Sequence, residues 1–283
     1  MNKIAVVGTG IMGSGIATNY LKDGYDVIVW NRSAAKTDSL KNDGAHVASS
    51  PQEATEFADI IFEVTANDAS SQSVWQGTDG ILAAANTSKV LITSATLSID
   101  WTTQLAKLCQ ADSYQFLDMP LTGGRVAAED GSLTLLVGGK KATLDAITGD
   151  LVPISSRVLY FGESGSGMKY KLILNSLQAA HMAAFREALA VAISQGLDPQ
   201  KVGPALCERP GGVPTHIAWD AYNAKPLPLT FSVDWITKDL EYAKQMNGST
   251  KTDFLDDTLA IFKKAQSEGH GSEDWGIITK DLK

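Results

Sequence analysis

Apolar residues along this chain follow two regimes. Up to residue 163 they come in short runs, each the length of one strand, with stretches of helical spacing between them. The runs at 4–7, 25–30, 58–64, 90–93, 114–118, 133–137 and 158–161 read as strands, and 98–110 and 141–149 as helices. Strands alternating with helices predict a doubly wound, Rossmann-type α/β sheet. After the junction Gly162-Glu163-Ser164-Gly165-Ser166-Gly167 the pattern changes. Residues 168–195 hold no Gly or Pro before the final Gln and are rich in Ala and Leu, which predicts a helix of roughly seven or eight turns. Its apolar residues occupy most of its circumference, so it is expected to be buried. Further helices are expected around 199–207, 214–223, 232–247, 252–268 and 274–282. The expected organisation is an α/β domain over 1–163 and an all-helical domain over 164–283, joined through the long helix.

The first strand runs into Gly8-Thr9-Gly10-Ile11-Met12-Gly13, and Ile16, Ala17, Tyr20 and Leu21 then fall on one helical face. Strand, glycine turn and helix in that order form the context in which this motif binds a dinucleotide. Gly8 permits the turn, Gly10 lets a pyrophosphate approach the backbone, and Gly13 lets helix and strand pack closely. The helix N terminus supplies N–H groups and the positive end of its dipole. The second strand ends in Asn31-Arg32-Ser33, without the Asp or Glu that would accept bonds from both ribose hydroxyls. Arg32 offers a cationic fork to a 2′-phosphate, Ser33 a donor, and Lys36 further charge, so NADP is expected, with NAD possible. The alternative for Arg32 is a solvated loop residue.

Composition narrows the remaining classes. The chain has 283 residues, 44% of them hydrophobic and 20% charged, with a formal net charge of −8. That length suggests about two domains. The acidic balance and lack of a basic run argue against a nucleic-acid surface. No stretch reaches the ~20 apolar residues of a membrane span, and the N-terminal apolar run is too short for a signal peptide. Cys109 and Cys207 match no metal or redox spacing, and His46, His181, His216 and His270 are scattered. No metal is expected, and the expected compartment is cytoplasmic.

Ligands of an open parallel sheet bind beyond the carboxyl ends of its strands. Thr65-Ala66-Asn67-Asp68, Ser94-Ala95-Thr96 and Asp118-Met119-Pro120-Leu121-Thr122-Gly123-Gly124 stand at such ends. The last loop has backbone N–H groups suited to an oxyanion, although from spacing alone a plain chain reversal fits at least as well. Lys171 and Asn175, four apart, project from one face of the long helix. A partly desolvated lysine exchanges a proton near neutral pH, whereas most lysines are simply solvated.

Taken together, four ordered segments resemble the β-hydroxyacid dehydrogenase family, which includes 3-hydroxyisobutyrate dehydrogenases, tartronate semialdehyde reductases and glyoxylate/succinic semialdehyde reductases. They are the glycine turn continued through Ser14-Gly15-Ile16-Ala17-Thr18-Asn19-Tyr20-Leu21, the loop Asp118 to Gly124 with Gly131-Ser132-Leu133 and Gly138-Gly139, Gly165-Ser166-Gly167 through Lys171 to Asn175, and Lys238-Asp239-Leu240. The resemblance implies that Lys171 gives a proton to the carbonyl oxygen or takes one from the alcohol, and that Asn175 holds that oxygen or the carboxylate. It implies that Thr122, Gly123 and Gly124 grip the substrate carboxylate, that Phe231 and Asp239 approach the substrate, and that Thr65, Ala66, Thr96 and Lys238 border the cofactor. The substrate is then a short hydroxyacid or its semialdehyde or keto acid, and the assembly a homodimer or homotetramer. Thr122 stands where the family commonly has Ser, Ala66 for Pro, Thr93 for Asp and Ala95 for Ser. Arg125 falls where members vary, and either binds a second acidic group or faces solvent. The alternatives are an imine reductase of the same architecture, a group that usually lacks the lysine found here at 171, and a non-catalytic cofactor-binding module.

Overall fold

The computed structural model describes residues 2–208, 212–223, 229–246 and 253–282. The chain divides into two compact units, one ending at Lys171 and the other starting at Leu172.

In the first unit the order is β1 (Ile4–Val7), α1 (Ile11–Lys22), β2 (Val27–Trp30), α2 (Asp38–Asn42), β3 (His46–Val47), α3 (Pro51–Phe57), β4 (Ile60–Glu63), α4 (Asp68–Gln76), β5 (Val90–Thr93), α5 (Ile99–Ala111), β6 (Gln115–Asp118), β7 (Leu121–Thr122), α6 (Gly124–Glu129), β8 (Leu133–Gly139), α7 (Lys141–Ile147), β9 (Ser155–Gly162) and the start of α8 (Ser166–Ser194). The strands form one sheet in the order β3-β2-β1-β4-β5-β6-β8-β7, with β9 beside β8. From β3 to β6 every pairing is parallel. β8 runs antiparallel to β6 and β7 and parallel to β9, so one side of the sheet departs from the parallel pattern.

Central strands that are apolar at every position are buried on both faces, as a parallel sheet covered by helices requires. Ile4 and Val6 join Ile60, Phe62 and the α1 residues Ile16 and Tyr20 in one core. Ala5 and Val7 join Ile61, Leu91, Trp75 and Trp101 in the other. Successive side chains alternate between these layers, which puts both helical covers in register with one strand set. Ser98 caps α5, its hydroxyl accepting from the Trp101 N–H at 3.1 Å. Asn67 and Ser70 close a reciprocal capping box on α4.

The second unit is helical. α8 continues into it, followed by α9 (Pro199–Cys207), α10 (Gly212–Tyr222), α11 (Val233–Met246) and α12 (Asp253–Ala265). A kinked turn, Gln266–His270, and a 3-10 segment, Trp275–Leu282, follow. Residues 247 and 252, expected at helix ends, lie outside the described residues. The core of this unit gathers Phe185, Leu189, Trp219, Ile236, Leu240 and Phe262. The expected burial of α8 holds on one side only: Ile173, Leu177 and Val191 are 55%, 54% and 61% exposed. Among the described residues no helix is long and apolar enough to cross a membrane, and no group of three or more His, Cys, Asp or Glu is placed to hold a metal.

Candidate active site

The glycine turn leaves the carboxyl end of β1. Gly8 has φ +107°, and a Cβ there would overlap the Val64 carbonyl oxygen. At Gly13 a Cβ would overlap the Gly8 carbonyl. Both glycines are therefore demanded by the protein itself. Gly10 is different. Its φ of −72° suits any residue, and a Cβ would meet nothing within 4 Å. Neither backbone nor packing requires glycine there, so the open space is room for something other than protein. Gly10 caps α1 without a side-chain bond, and the first turn of α1 holds no acid. A cavity of about 480 Å³ opens over it, lined among others by Thr9, Ile11, Ser14, Lys36 and Arg125. An uncapped helix N terminus beneath a cationic cavity fits the pyrophosphate of a dinucleotide. Met12 faces the other way, packed on the core beneath α1.

Asn31 ties the second strand to this turn. Its Oδ1 accepts from the Thr9 N–H at 3.1 Å, and its Nδ2 donates to the Ser33 carbonyl at 3.0 Å. Arg32 and Ser33 are exposed. Thr65 and Thr96 are half-buried and Ala66 is exposed. Below Thr65 lies a residue that pattern reading missed. Glu63, the last residue of β4, is 0% exposed. Its carboxylate accepts from the Thr65 N–H at 3.0 Å and from the Thr65 hydroxyl, from Thr93 Oγ1 at 2.6 Å and from Trp75 Nε1 at 3.3 Å. Thr93, where the family commonly has Asp, is the register partner of Glu63 on β5. The available signal was a lone acid closing an apolar strand run.

The loop after β6 is built on a second buried carboxylate. Asp118 accepts from the Gly165 N–H at 2.6 Å and the Met168 N–H at 2.9 Å. Burial holds its carboxyl above the usual carboxylate range, while the backbone donors pull it back. Gly138 leaves room for it, since a Cβ there would lie 2.5 Å from Asp118 Oδ1, whereas Gly167 is demanded by backbone: a Cβ there would overlap the Leu136 carbonyl oxygen and lie 3.0 Å from the Asp118 carbonyl. Asp118 thus anchors the first turn of α8, the helix that carries Lys171. Thr122, half-buried on β7, pairs with Thr134 of β8. Gly123 and Gly124 follow with φ of +127° and +70°, exposing their backbone as α6 begins.

Lys171 is 8% exposed and Asn175, one helical turn on, is 3% exposed. In the second unit Asn175 Nδ2 donates to Asp239 Oδ2 at 2.6 Å. Asp239, 1% exposed, is paired with Lys238 Nζ at 2.8 Å, and that ammonium also lies over the Tyr242 ring at 5.3 Å. Asn175, Lys238 and Asp239 are therefore brought together, with the amide oxygen of Asn175 facing away from the bond to Asp239. Phe231 is half-buried and packs on Trp235 and edge-on against Trp275, 5.5 Å between the latter ring centroids.

A sheet of this topology with a cavity over its glycine turn fits a dinucleotide-binding domain. Residues 3–162 match the family model for the NAD binding domain of 6-phosphogluconate dehydrogenase, and 165–280 the model for the NAD-binding domain of NADP-dependent 3-hydroxyisobutyrate dehydrogenase. Mitochondrial 3-hydroxyisobutyrate dehydrogenase of Rattus norvegicus is 32% identical over 99% of this chain and 87% of its own length. Chloroplastic glyoxylate/succinic semialdehyde reductase 2 of Arabidopsis thaliana is 29% identical over 99% of this chain and 79% of its own. The crystal structure of a 3-hydroxyisobutyrate dehydrogenase from Salmonella typhimurium superposes with a TM-score of 0.87 at 24% identity, covering 99% of both chains. The chain belongs to the β-hydroxyacid dehydrogenase family, and its activity class is oxidoreduction at CH–OH groups.

Proposed function

We propose that this enzyme interconverts a short hydroxyacid and its semialdehyde or keto acid with NADP(H), Lys171 acting as general acid and base. The observation that carries this reading is a buried lysine one turn ahead of a buried asparagine whose amide is held by Asp239. When bound, the nicotinamide supplies or accepts the hydride. Lys171 gives a proton from Nζ to the carbonyl oxygen in reduction and takes it back from the hydroxyl in oxidation. Asn175, held in place by Asp239, orients the same oxygen or the carboxylate. Thr122 and the exposed N–H groups of Gly123 and Gly124 take the substrate carboxylate. Thr65, Ala66, Thr96 and Lys238 border the cofactor, and Phe231 and Asp239 shape the substrate end. Among the described residues at the end of β2, Asn31, Arg32 and Ser33 include no carboxylate, which supports NADP over NAD.

The exposed face of α8 supports a homo-oligomer. Ile173, Leu177, Ala184, Ala188 and Val191 recur at helical spacing and are all exposed, an apolar stripe suited to a second copy. Light scattering of the purified protein tests this, and a monomer at all concentrations refutes it. Buried free thiols at Cys109 and Cys207 support a reducing compartment, the cytoplasm.

The deciding experiment is NADPH oxidation against C2–C4 semialdehydes and keto acids, with cyclic imines beside them. Turnover of a carboxylated carbonyl compound is expected. Turnover of imines alone, or NADPH binding with no turnover, refutes the assignment of Lys171.

A further inference from the structure

Arg125 stands in the first turn of α6, and α6 is fixed against α1. A Cβ on Gly15 would lie 2.5 Å from the Ala128 carbonyl oxygen, and Asn19 Nδ2 donates to that same carbonyl at 2.7 Å. The two helices are thus locked at backbone distance, and Arg125 lines the cavity whose floor includes Gly10, Ile11 and Ser14. Among the described residues lining that cavity Lys22, Lys36 and Arg125 are cationic and Glu129 is acidic. The guanidinium meets Glu129 through Nη1 at 3.4 Å, an exposed contact one turn along its own helix, of a kind that contributes little. Its Nε is buried and has no hydrogen-bond partner among the described residues. The guanidinium thus keeps donor capacity that no described residue uses, beside a cavity whose lining carries an excess of positive charge. Arg32 and Ser33 do not line this cavity, whereas Lys36, set out with them for a 2′-phosphate, does, so the NADPH and NADH constants have to be compared.

We propose that Arg125 binds the pyrophosphate of the dinucleotide, completing an anion cradle with the N terminus of α1, and is not a receptor for a second acidic group of the substrate. This rests on the assignment of the cavity to the dinucleotide. A guanidinium suits the role because its planar fork matches two phosphate oxygens at once.

The test is the dissociation constant of NADPH and of NADH for the wild type, Arg125→Ala, Arg125→Lys and Glu129→Gln, read by titration calorimetry, with the substrate KM measured alongside. Loss of a charge-assisted fork in Arg125→Ala is expected to weaken both dinucleotides by the same factor, about 10–100-fold. Arg125→Lys recovers part of this, as a point charge without the fork. Glu129→Gln binds both at least as tightly as wild type, because only the competing carboxylate is gone. Weakened NADPH with unchanged NADH assigns Arg125 to the 2′-phosphate and overturns the proposal. Unchanged dinucleotide affinity with a raised substrate KM assigns it to the substrate and also overturns it, as does no change at all. Weakened binding in Glu129→Gln shows a structural pair and does the same. A wild type that binds neither dinucleotide overturns the assignment of the cavity itself, a result distinct from all of these.

Discussion

Replacing Glu63 by Gln exchanges one carboxylate oxygen for an NH2 group and tests whether a buried carboxylate ties the carboxyl ends of β4 and β5 together. Glu63 Oε1 takes the Thr65 N–H and hydroxyl, and Oε2 takes Thr93 Oγ1 and Trp75 Nε1. A glutamine amide of the same shape places its nitrogen at one of the two oxygen positions. In one orientation it faces the Thr65 N–H, in the other the Trp75 indole N–H. A hydroxyl can turn away, but neither of these N–H groups can, so one buried donor is left unsatisfied at a cost of about 1–3 kcal/mol. The bonds that survive lose charge assistance, roughly half their strength. Removing a buried charge returns part of the loss, and the net destabilisation is about 3 kcal/mol. On a domain of this size that lowers the thermal midpoint by about 6–12 °C. Scanning calorimetry of the two proteins at neutral pH measures it. A midpoint within about 2 °C of wild type, or above it, refutes the reasoning, since desolvation of the carboxylate then outweighs its bonds.

The remaining predictions concern the turn, the helix and the second carboxylate. Gly10→Val is expected to change the melting temperature by only a few degrees, because its φ of −72° and empty surroundings accept a side chain while the N-cap preference for glycine over valine is lost, and NADPH affinity falls at least about tenfold; a strongly destabilised but binding-competent variant contradicts this. Lys171→Ala is expected to lower kcat about 10²–10⁴-fold with NADPH affinity kept, and near wild-type turnover removes the lysine from the mechanism. Arg32→Asp is expected to shift the ratio of kcat/KM for NADPH over NADH toward NADH, and an unchanged ratio places the 2′-phosphate elsewhere. Asp118 has a raised folded pKa, so it binds its proton more tightly in the native state than in the unfolded chain. Its contribution is present below the ordinary value of about 3.9 and is lost as pH rises through the folded value. The stability of wild type relative to Asp118→Asn is therefore expected to fall as pH rises from about 3.5, and urea midpoints across a pH series that slope the other way refute it.

Strands buried on both faces announce themselves as apolar runs, and β1 and β5 lie where the pattern puts them. The glycine turn was legible because Gly8 and Gly13 answer to local geometry. α4 was missed: it is short and polar, and its signal is the capping pair Asn67 and Ser70 rather than an apolar stripe. The reversal of β8 was missed because strand direction is set by partners distant in the chain. α8 was expected to be buried because Ala and Leu occur all round it, yet its sides differ, and which side packs depends on the helices laid against it. Lys171 and Asn175 stood out by spacing, whereas Glu63 and Asp118 did not. A carboxylate inside an apolar run declares its charge but not its donors, and those come from other strands and turns.

The crowding around Asp118 has a consequence for how this sequence can vary. Positions 118, 138 and 167 are far apart along the chain, yet the carboxylate occupies the volume that a methyl group on Gly138 would need, and Gly167 abuts the same residue's carbonyl. None of the three can drift alone. A side chain at 138 would meet the backbone nitrogen of Gly167 as well as the carboxylate, so shortening the acid does not free that position, and it strands the amides of Gly165 and Met168. All three are thus expected to stay fixed among relatives, the glycines because backbone atoms crowd them and the acid because the amides of Gly165 and Met168 need it.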